Sequence, residues 1–450
     1  MQQITFNKVN TYTWKIIRYL GNLQLAIFLL LLIAILSSLG TVIEQEKSPV
    51  FYEINYPITK PILGIITSNL ILRFGLDHIY SSSWFILLLV LFGLSLLSCT
   101  LSRQVPSLKL AKLWQFFKQE QNARKFGITF KLTDVSLNEF SYLLRSESYN
   151  VVQEGPYLYA YKGLIGKIGP ILVHASIICI LLGSIFGVLG GYVVQEIIPK
   201  GEIFHLQNII SSGPLSYVRQ DFEGYVRDFK IAYSDEGIID QFYSDVSILD
   251  NNLAPETKKT IFVNEPLRYA GITFYQTDWS VSNVTVDTKE LGKTSVPLKE
   301  IKLDNNSRFW VAFLPLDEKI LLVIQDLTGK CLIYNSDKKM LGQTEVGHKI
   351  YIYGKSIRIE KITPSTGLQV KSDPGIPLVY AGFSFLIVSV IFSYTSYCQL
   401  WAIKMKGDLH VYASTNRAVY FYERNLMKML SNFKIKNRMI RTKSIILGKK

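Results

Sequence analysis

Nine side chains of the 450-residue sequence are the natural candidates for ligation or nucleophilic chemistry. They are five histidines, His78, His174, His205, His348 and His410, and four cysteines, Cys99, Cys179, Cys331 and Cys398. The cysteines form no CxxC and no CxxCH, so neither a dithiol redox pair nor a covalent haem-attachment site is written in the chain. No Gly-rich phosphate loop, paired-carboxylate or Ser/His/Asp arrangement is recognisable. His174 stands apart because it lies inside "GPILVHASIICILLGSIFG", residues 169–187, an almost wholly apolar run. An ionisable residue in such a run normally faces protein or a cavity and marks a functional site. Neutral imidazole is also a common ligand of haem iron. The helical neighbours of His174 at three and four residues are Pro170, Ile171, Ile177 and Ile178, which supply no polar partner. The alternative reading is a histidine satisfied by a polar group on a neighbouring helix.

His78 sits in "GLDHIYSSSWF", flanked by Asp77, Tyr80 and Trp84. It reads as part of an interfacial aromatic belt, or more sharply as a second, exterior haem contact. His205 and His348 stand singly in segments of strand character, without neighbours at metal-ligand spacing, and read as surface or core residues. His410 falls in a basic tail. The aromatic stretch 263–280, with Pro266, Arg268, Tyr269, Phe274, Tyr275 and Trp279, reads as core, with presentation to a partner or macrocycle as the alternative.

The elements that position these residues begin with hydropathy. With 48% hydrophobic residues, the chain concentrates them in blocks of the ~20 residues needed to cross a bilayer. The expected organisation is an N-terminal segment 1–22, span 23–43, loop 44–83, span 84–101, loop domain 102–165, span 166–190, a large domain 191–375, span 376–401 and a tail 402–450. Counting about 1.5 Å per helical residue, His174 lies roughly 9–12 Å into the third span. Gly183 and Gly187 form a GxxxG spacing that permits close helix contact. In 102–165, "KFGITFKL" alternates as a strand, Ser136 and Glu139 have capping-box spacing, and "YNVVQE" and "YLYAYKG" read as two further strands, a small α+β unit. Loop 44–83 reads as short pieces lying along the membrane surface. In 191–375, nine alternating segments from "DFKIAYS" to "SIRIEKI" are separated by turn signals, the pattern of an all-β sandwich or barrel. The fold class expected is thus a polytopic α-helical membrane protein of four spans with a large exported mainly-β domain and a small inside α+β loop domain.

Charge orients the spans. Residues 1–22 carry +3, 103–165 carry +4 and 402–450 carry +10, whereas 44–83 sum to −1 and 191–375 to −3. By the positive-inside rule both termini and the 102–165 loop face the cytoplasm-equivalent side. This distribution assigns the net charge of +14 to orientation and a lipid surface rather than to nucleic acid. The first apolar stretch has no cleavage pattern and no import-type leader, so the chain is expected to begin at its mature start. Within the expected spans only Lys167, at a span edge, is charged, which argues against a transporter or channel.

Four stretches together carry a resemblance: "GTVIEQ" after span one, "FGLDHIYSSSWFILLLVLFGLSLLSCTLSRQVPSL" around span two, "IFVNEPLRYAGITFYQTDW", and "TGLQVKSDPGIPLVYAGF" before span four. The chain resembles the CcsB/ResB family of system II cytochrome c biogenesis proteins in its plastid and cyanobacterial form, over essentially its whole length. The resemblance implies a partner, a CcsA-type membrane protein with a tryptophan-rich haem motif, which this chain lacks. It implies haem b, transiently bound and shared with that partner, and delivery to apocytochromes c for attachment on the lumenal side. The family's intramembrane histidine falls on His174. A chain of this kind is not expected to be an enzyme alone, but to act within a cytochrome c synthase (haem lyase) complex. The runner-up is a structural scaffold that never touches haem. The Ile-, Lys- and Asn-rich composition fits a plastid thylakoid membrane, with a cyanobacterial membrane as alternative.

Overall fold

In hydrocarbon every backbone polar group must be satisfied internally, so long apolar runs fold as helices. The computed structural model describes residues 11–59, 61, 66–116, 128–235, 238–249, 255–290, 292–302, 307–314, 316, 320–337, 339–405 and 407–447. Residues 1–10 of the expected N-terminal segment, 117–127 of the loop domain and 448–450 of the tail lie outside them. The helices are α1 (Thr11–Leu20), α2 (Leu23–Val42), α3 (Pro49–Asn55), α4 (Ser68–Phe74), α5 (Ser83–Cys99), α6 (Val105–Lys112), α7 (Leu137–Ser146), α8 (Ile165–Gly190), α9 (Ile376–Tyr394) and α10 (Val419–Leu447). Among the described residues, four helices are long and apolar enough to cross a bilayer: α2, the continuous run Ser83–Lys112, α8 and α9. The chain divides into two compact units, one of residues 1–184 with 377–450 and one of 185–376.

In the first unit, α5 passes through a π-turn, Thr100–Gln104, into α6. Leu29 of α2, Phe92 and Leu96 of α5, and Ile177, Ile178 and Leu181 of α8 pack together. Glycines let α8 approach the end of α9: a Cβ on Gly169 would lie 2.4 Å from the Ser393 nitrogen.

The loop domain and the tail are one structure. A five-stranded antiparallel sheet runs in the order Ile128–Leu132, Asp408–Thr415, Cys398–Met405, Tyr157–Lys162, Asn150–Glu154. Helix α7, opened by the Ser136/Glu139 capping box, buries Phe140 and Leu144 with Leu400, Ala402 and Val411, and α10 adds Leu426 and Leu430. Here the structure departs from the hydropathy reading. The fourth apolar helix ends at Tyr394, and Cys398–Trp401 is strand. Residues 402–405 complete that strand, and the expected basic tail adds the strand Asp408–Thr415 and the helix α10. An apolar run buried on both faces of a sheet cannot be told from a span end by composition.

The loop after α2 also has its own core. Ile43, Tyr52, Tyr56, Ile66 and Ile71 bury one another, so the short aromatic pieces form a small folded knot.

In the second unit all nine alternating segments fall on strands. Two long strands, Ile272–Thr288 and Lys355–Ser372, pair along their length and centre a seven-stranded sheet. A four-stranded sheet covers one part of it around Phe274, Val246 and Ile248. A five-stranded sheet covers the other part around Trp279, Trp310 and Ile333. The result is a sandwich with one continuous layer and one divided layer. At a bulge between Gln276 and Asp278, the buried Gln276 carboxamide oxygen accepts from the Ser244 and Thr366 hydroxyls.

Candidate functional site at His174

Pro106 stands one residue into α6. It has no N–H, and its ring crowds the carbonyl four residues back, that of Ser102. The wider π-turn Thr100–Gln104 accommodates it, and π-turns within helices recur at functional sites. Thr100 and Gln104, four residues apart, share one helix face. Both reach across to α8. Thr100 Oγ1 stands 2.9 Å from His174 Nδ1, and Gln104 Nε2 stands 3.2 Å from His174 Nε2. The Thr100 hydroxyl also donates to the Leu96 carbonyl at 2.9 Å.

The proton arrangement follows from the inventory of donors. A threonine hydroxyl has one hydrogen. With that hydrogen on the Leu96 carbonyl, Thr100 must accept from Nδ1–H, and Nε2 is the bare nitrogen that accepts from the Gln104 amide. The chain Nδ1–H to Thr100 to Leu96 fixes both tautomer and ring plane. Gln104 Oε1 is left buried without a hydrogen-bond partner. The polar partner that the immediate neighbours of His174 do not supply therefore comes from the second apolar helix, 70 and 74 residues away in sequence.

His78 lies at the other end of α5. That helix of 17 residues is about 25 Å long at 1.5 Å per residue, so His78 and His174 cannot meet on one macrocycle. His78 Nδ1 is 3.0 Å from Asp77 Oδ1, and its side chain is half exposed. The turn that carries it is clamped by the segment after α2. Gln45 Nε2 donates to the carbonyls of Ile43 (2.8 Å) and Leu76 (3.0 Å), and Gln45 Oε1 accepts from Ile79 N–H at 3.0 Å. Glu46 N–H donates to the Asp77 carbonyl at 2.8 Å. Gly75, at φ +65°, ends α4, and a Cβ there would press on His78 Nε2 at 3.2 Å. "GTVIEQ" and "GLDHIY" are thus two halves of one structure. Tyr80 hydroxyl donates to the Ser37 carbonyl and Trp84 Nε1 to the Phe74 carbonyl.

The remaining candidates disperse. His205 Nε2 lies 3.9 Å from Glu223, His348 is exposed on a turn, and His410 is half-buried in the strand Asp408–Thr415, opposite Lys131 and Ile403. All four cysteines are free, and burial pushes the Cys331 thiol up to about 11. Among the described residues no group of three His, Cys, Asp or Glu side chains is placed to hold a metal ion. In the aromatic stretch, Phe274 and Trp279 are core, while Tyr269 bonds Glu256 and Tyr275 remains partly exposed.

Comparison with known proteins adds an independent observation. Residues 23–330 match the model of the ResB-like family. The cytochrome c biogenesis protein Ccs1 of Rhodomonas salina is 52% identical over 431 residues, covering 94% of this chain and 98% of that protein. The Ccs1 protein of Pyropia yezoensis is 41% identical over 418 residues, covering 92% and 95%. The cytochrome c biogenesis protein CcsB of Trichormus variabilis is 43% identical over 418 residues, covering 91% of each chain.

Proposed function

The chain belongs to the ResB-like family, and on that premise we propose that it is the subunit of a membrane haem delivery and ligation complex that serves biogenesis of c-type cytochromes, with His174 as an axial ligand of haem b. The observation that carries the site is the hold on His174. A metal-binding histidine commonly gives its other ring N–H to an outer partner that fixes tautomer and orientation. Thr100, itself anchored on the Leu96 carbonyl, does this at Nδ1. The residues therefore fit the group: Nε2 is the nitrogen with the free electron pair, opposed only by a side-chain amide.

When bound, haem supplies the vinyl groups that become thioether links to apocytochrome cysteines. This chain's own part is to receive the cofactor at His174, keep the imidazole in one tautomer, and exclude water from that end of the helix pair by the packing of Leu29, Phe92, Leu96 and Ile178. The attachment chemistry belongs to the complex with a CcsA-type partner. The charge asymmetry supports an orientation with both termini inside and residues 191–375 on the opposite, lumenal side, where the sandwich would hold the apocytochrome or cap the exit. The Ile-, Lys- and Asn-rich composition supports a thylakoid membrane, with a cyanobacterial membrane as the alternative. His78, whose Nδ1 lies 3.0 Å from Asp77 Oδ1, would serve a separate contact on the opposite side.

One observation favours the scaffold reading: both ring nitrogens of His174 already have partners. Copurification of the chain with its CcsA-type partner, with His174 intact and as Ala, separates the two. The haem-site reading expects the assembled His174→Ala complex to lose its haem absorption. Equal haem content in both complexes would leave His174 a structural residue.

A further inference from the structure

Among the described residues, Gln104 is the hydrogen-bonding group on His174 Nε2. Its position is determined by the π-turn: it is four residues from Thr100, so both side chains reach the same imidazole, one on each nitrogen. The two contacts are unequal. Thr100 is satisfied twice, by His174 and by the Leu96 carbonyl. Gln104 uses one amide hydrogen on Nε2 while its Oε1 is buried with no partner. An interior carboxamide with an orphaned oxygen loses little by leaving, because any rotation that finds Oε1 a donor or water offsets the hydrogen bond it gives up.

Resting on the haem-site reading of His174, we propose that Gln104 is a displaceable latch. It occupies Nε2 in the unloaded site, keeps that nitrogen from other donors and metals, and swings aside when iron arrives. Thr100 is the fixed positioning residue and Gln104 the mobile one. Loading the site is then an exchange at a single nitrogen, with the Nδ1 hydrogen bond unchanged. The same bond would set how easily the site gives its cargo up, because Gln104 competes for Nε2 at every moment. A delivery site needs such competition more than a permanent cofactor site does.

The test compares Gln104→Leu, which removes the donor, and Gln104→Asn, which is too short to reach, with the parent, each as the full chain copurified with its partner. Two readouts are taken. One is the rate at which diethylpyrocarbonate modifies His174 in haem-free complex, followed by mass spectrometry. The other is the ferric haem dissociation constant from absorbance titration. Because one net hydrogen bond is at stake, both variants should be modified faster and bind haem more tightly by roughly two- to tenfold. Thr100→Val should instead bind haem roughly 10- to 100-fold more weakly, and Thr100→Ser should recover the parent value. An unchanged modification rate in both Gln104 variants, or weaker haem binding in them, overturns the latch. Faster modification with haem binding indifferent to Gln104, Thr100 and His174 alike supports the latch and overturns the haem reading on which it rests.

Discussion

Gly166 and Thr395 meet so closely that a Cβ on the glycine would lie 1.9 Å from the Thr395 carbonyl oxygen. Gly163 and Gly169, three residues to either side, meet Ser396 and Ser393 in the same way, at 2.0 Å from the Ser396 oxygen and 2.4 Å from the Ser393 nitrogen. This small-residue track lets the start of α8 lie against the end of α9. It fixes the rotation of α8 and so turns His174 toward α5 rather than toward lipid.

Substituting that track should therefore disturb both assembly and the histidine network. Gly166→Ala is expected to destabilise the helix pair by about 1–3 kcal/mol, the cost of overpacking, because only backbone is available to move. Gly93→Ala is the matched control, since its Cβ would find Leu181 at an ordinary 3.7 Å. Thermal unfolding of the purified chain in detergent, followed by helical circular dichroism, should separate the two. Equal midpoints would contradict the close approach.

Gln45→Ala should loosen the turn that bears His78 without touching α5. The substitution strips two carbonyls and one N–H of their partner, at about 1–3 kcal/mol for each group left buried and unpaired. Hydrogen exchange of the amides from Leu76 to Ser82 should accelerate at least tenfold, while the amides of α5 keep their protection. Unchanged exchange at Ile79 would show that the clamp contributes nothing.

The same loop should carry a pH signature with two limbs. Tyr56 hydroxyl donates to Glu44 Oε2 at 2.5 Å, and this bond, ahead of the backbone contact and Lys47, holds the Glu44 carboxyl below its usual range. The Glu44 contribution is thus present above the unfolded value near 4.3 and is lost as pH falls through the lower folded value. Burial, then the Glu44 bond, pushes the Tyr56 phenol up to about 12. That contribution is present below the unfolded value near 10 and is lost as pH rises through about 12. Tyr56→Phe should shift the acid loss of protection in residues 44–56 to higher pH and remove one late-titrating phenol from the absorbance titration. A parent-like acid midpoint in the variant would rule the coupling out.

The four apolar helices and the strand-rich second unit were legible because a length of ~20 apolar residues and a period of two are local properties. His174 was legible for the same reason, as the one histidine deep in an apolar run. Its partners were not. Thr100 and Gln104 lie where a span tapers into "SCTLSRQVPSL", and polar residues there read as a stop signal beside Arg103. Pro106 was the available clue, since a proline one turn beyond polar residues in an apolar helix marks an irregular turn. The strands Cys398–Met405 and Asp408–Thr415 were hidden by different physics. The first is apolar on both faces and directly follows a span, and the second is enclosed in positive charge. The knot after α2 depends on Gln45 meeting Leu76, 31 residues away, a pairing that no local pattern encodes.

The central claim is that His174 acts through its imidazole rather than through its place in the packing. Replacing it with glycine leaves room for free imidazole beside Thr100, so the most direct measurement is cytochrome c maturation by the His174→Gly complex as exogenous imidazole is added. Maturation and complex-bound haem should both be lost in the variant and both return with imidazole, with the complex assembled throughout. Maturation that persists without imidazole, or that is lost and not restored while the complex stays assembled, would contradict ligation by His174.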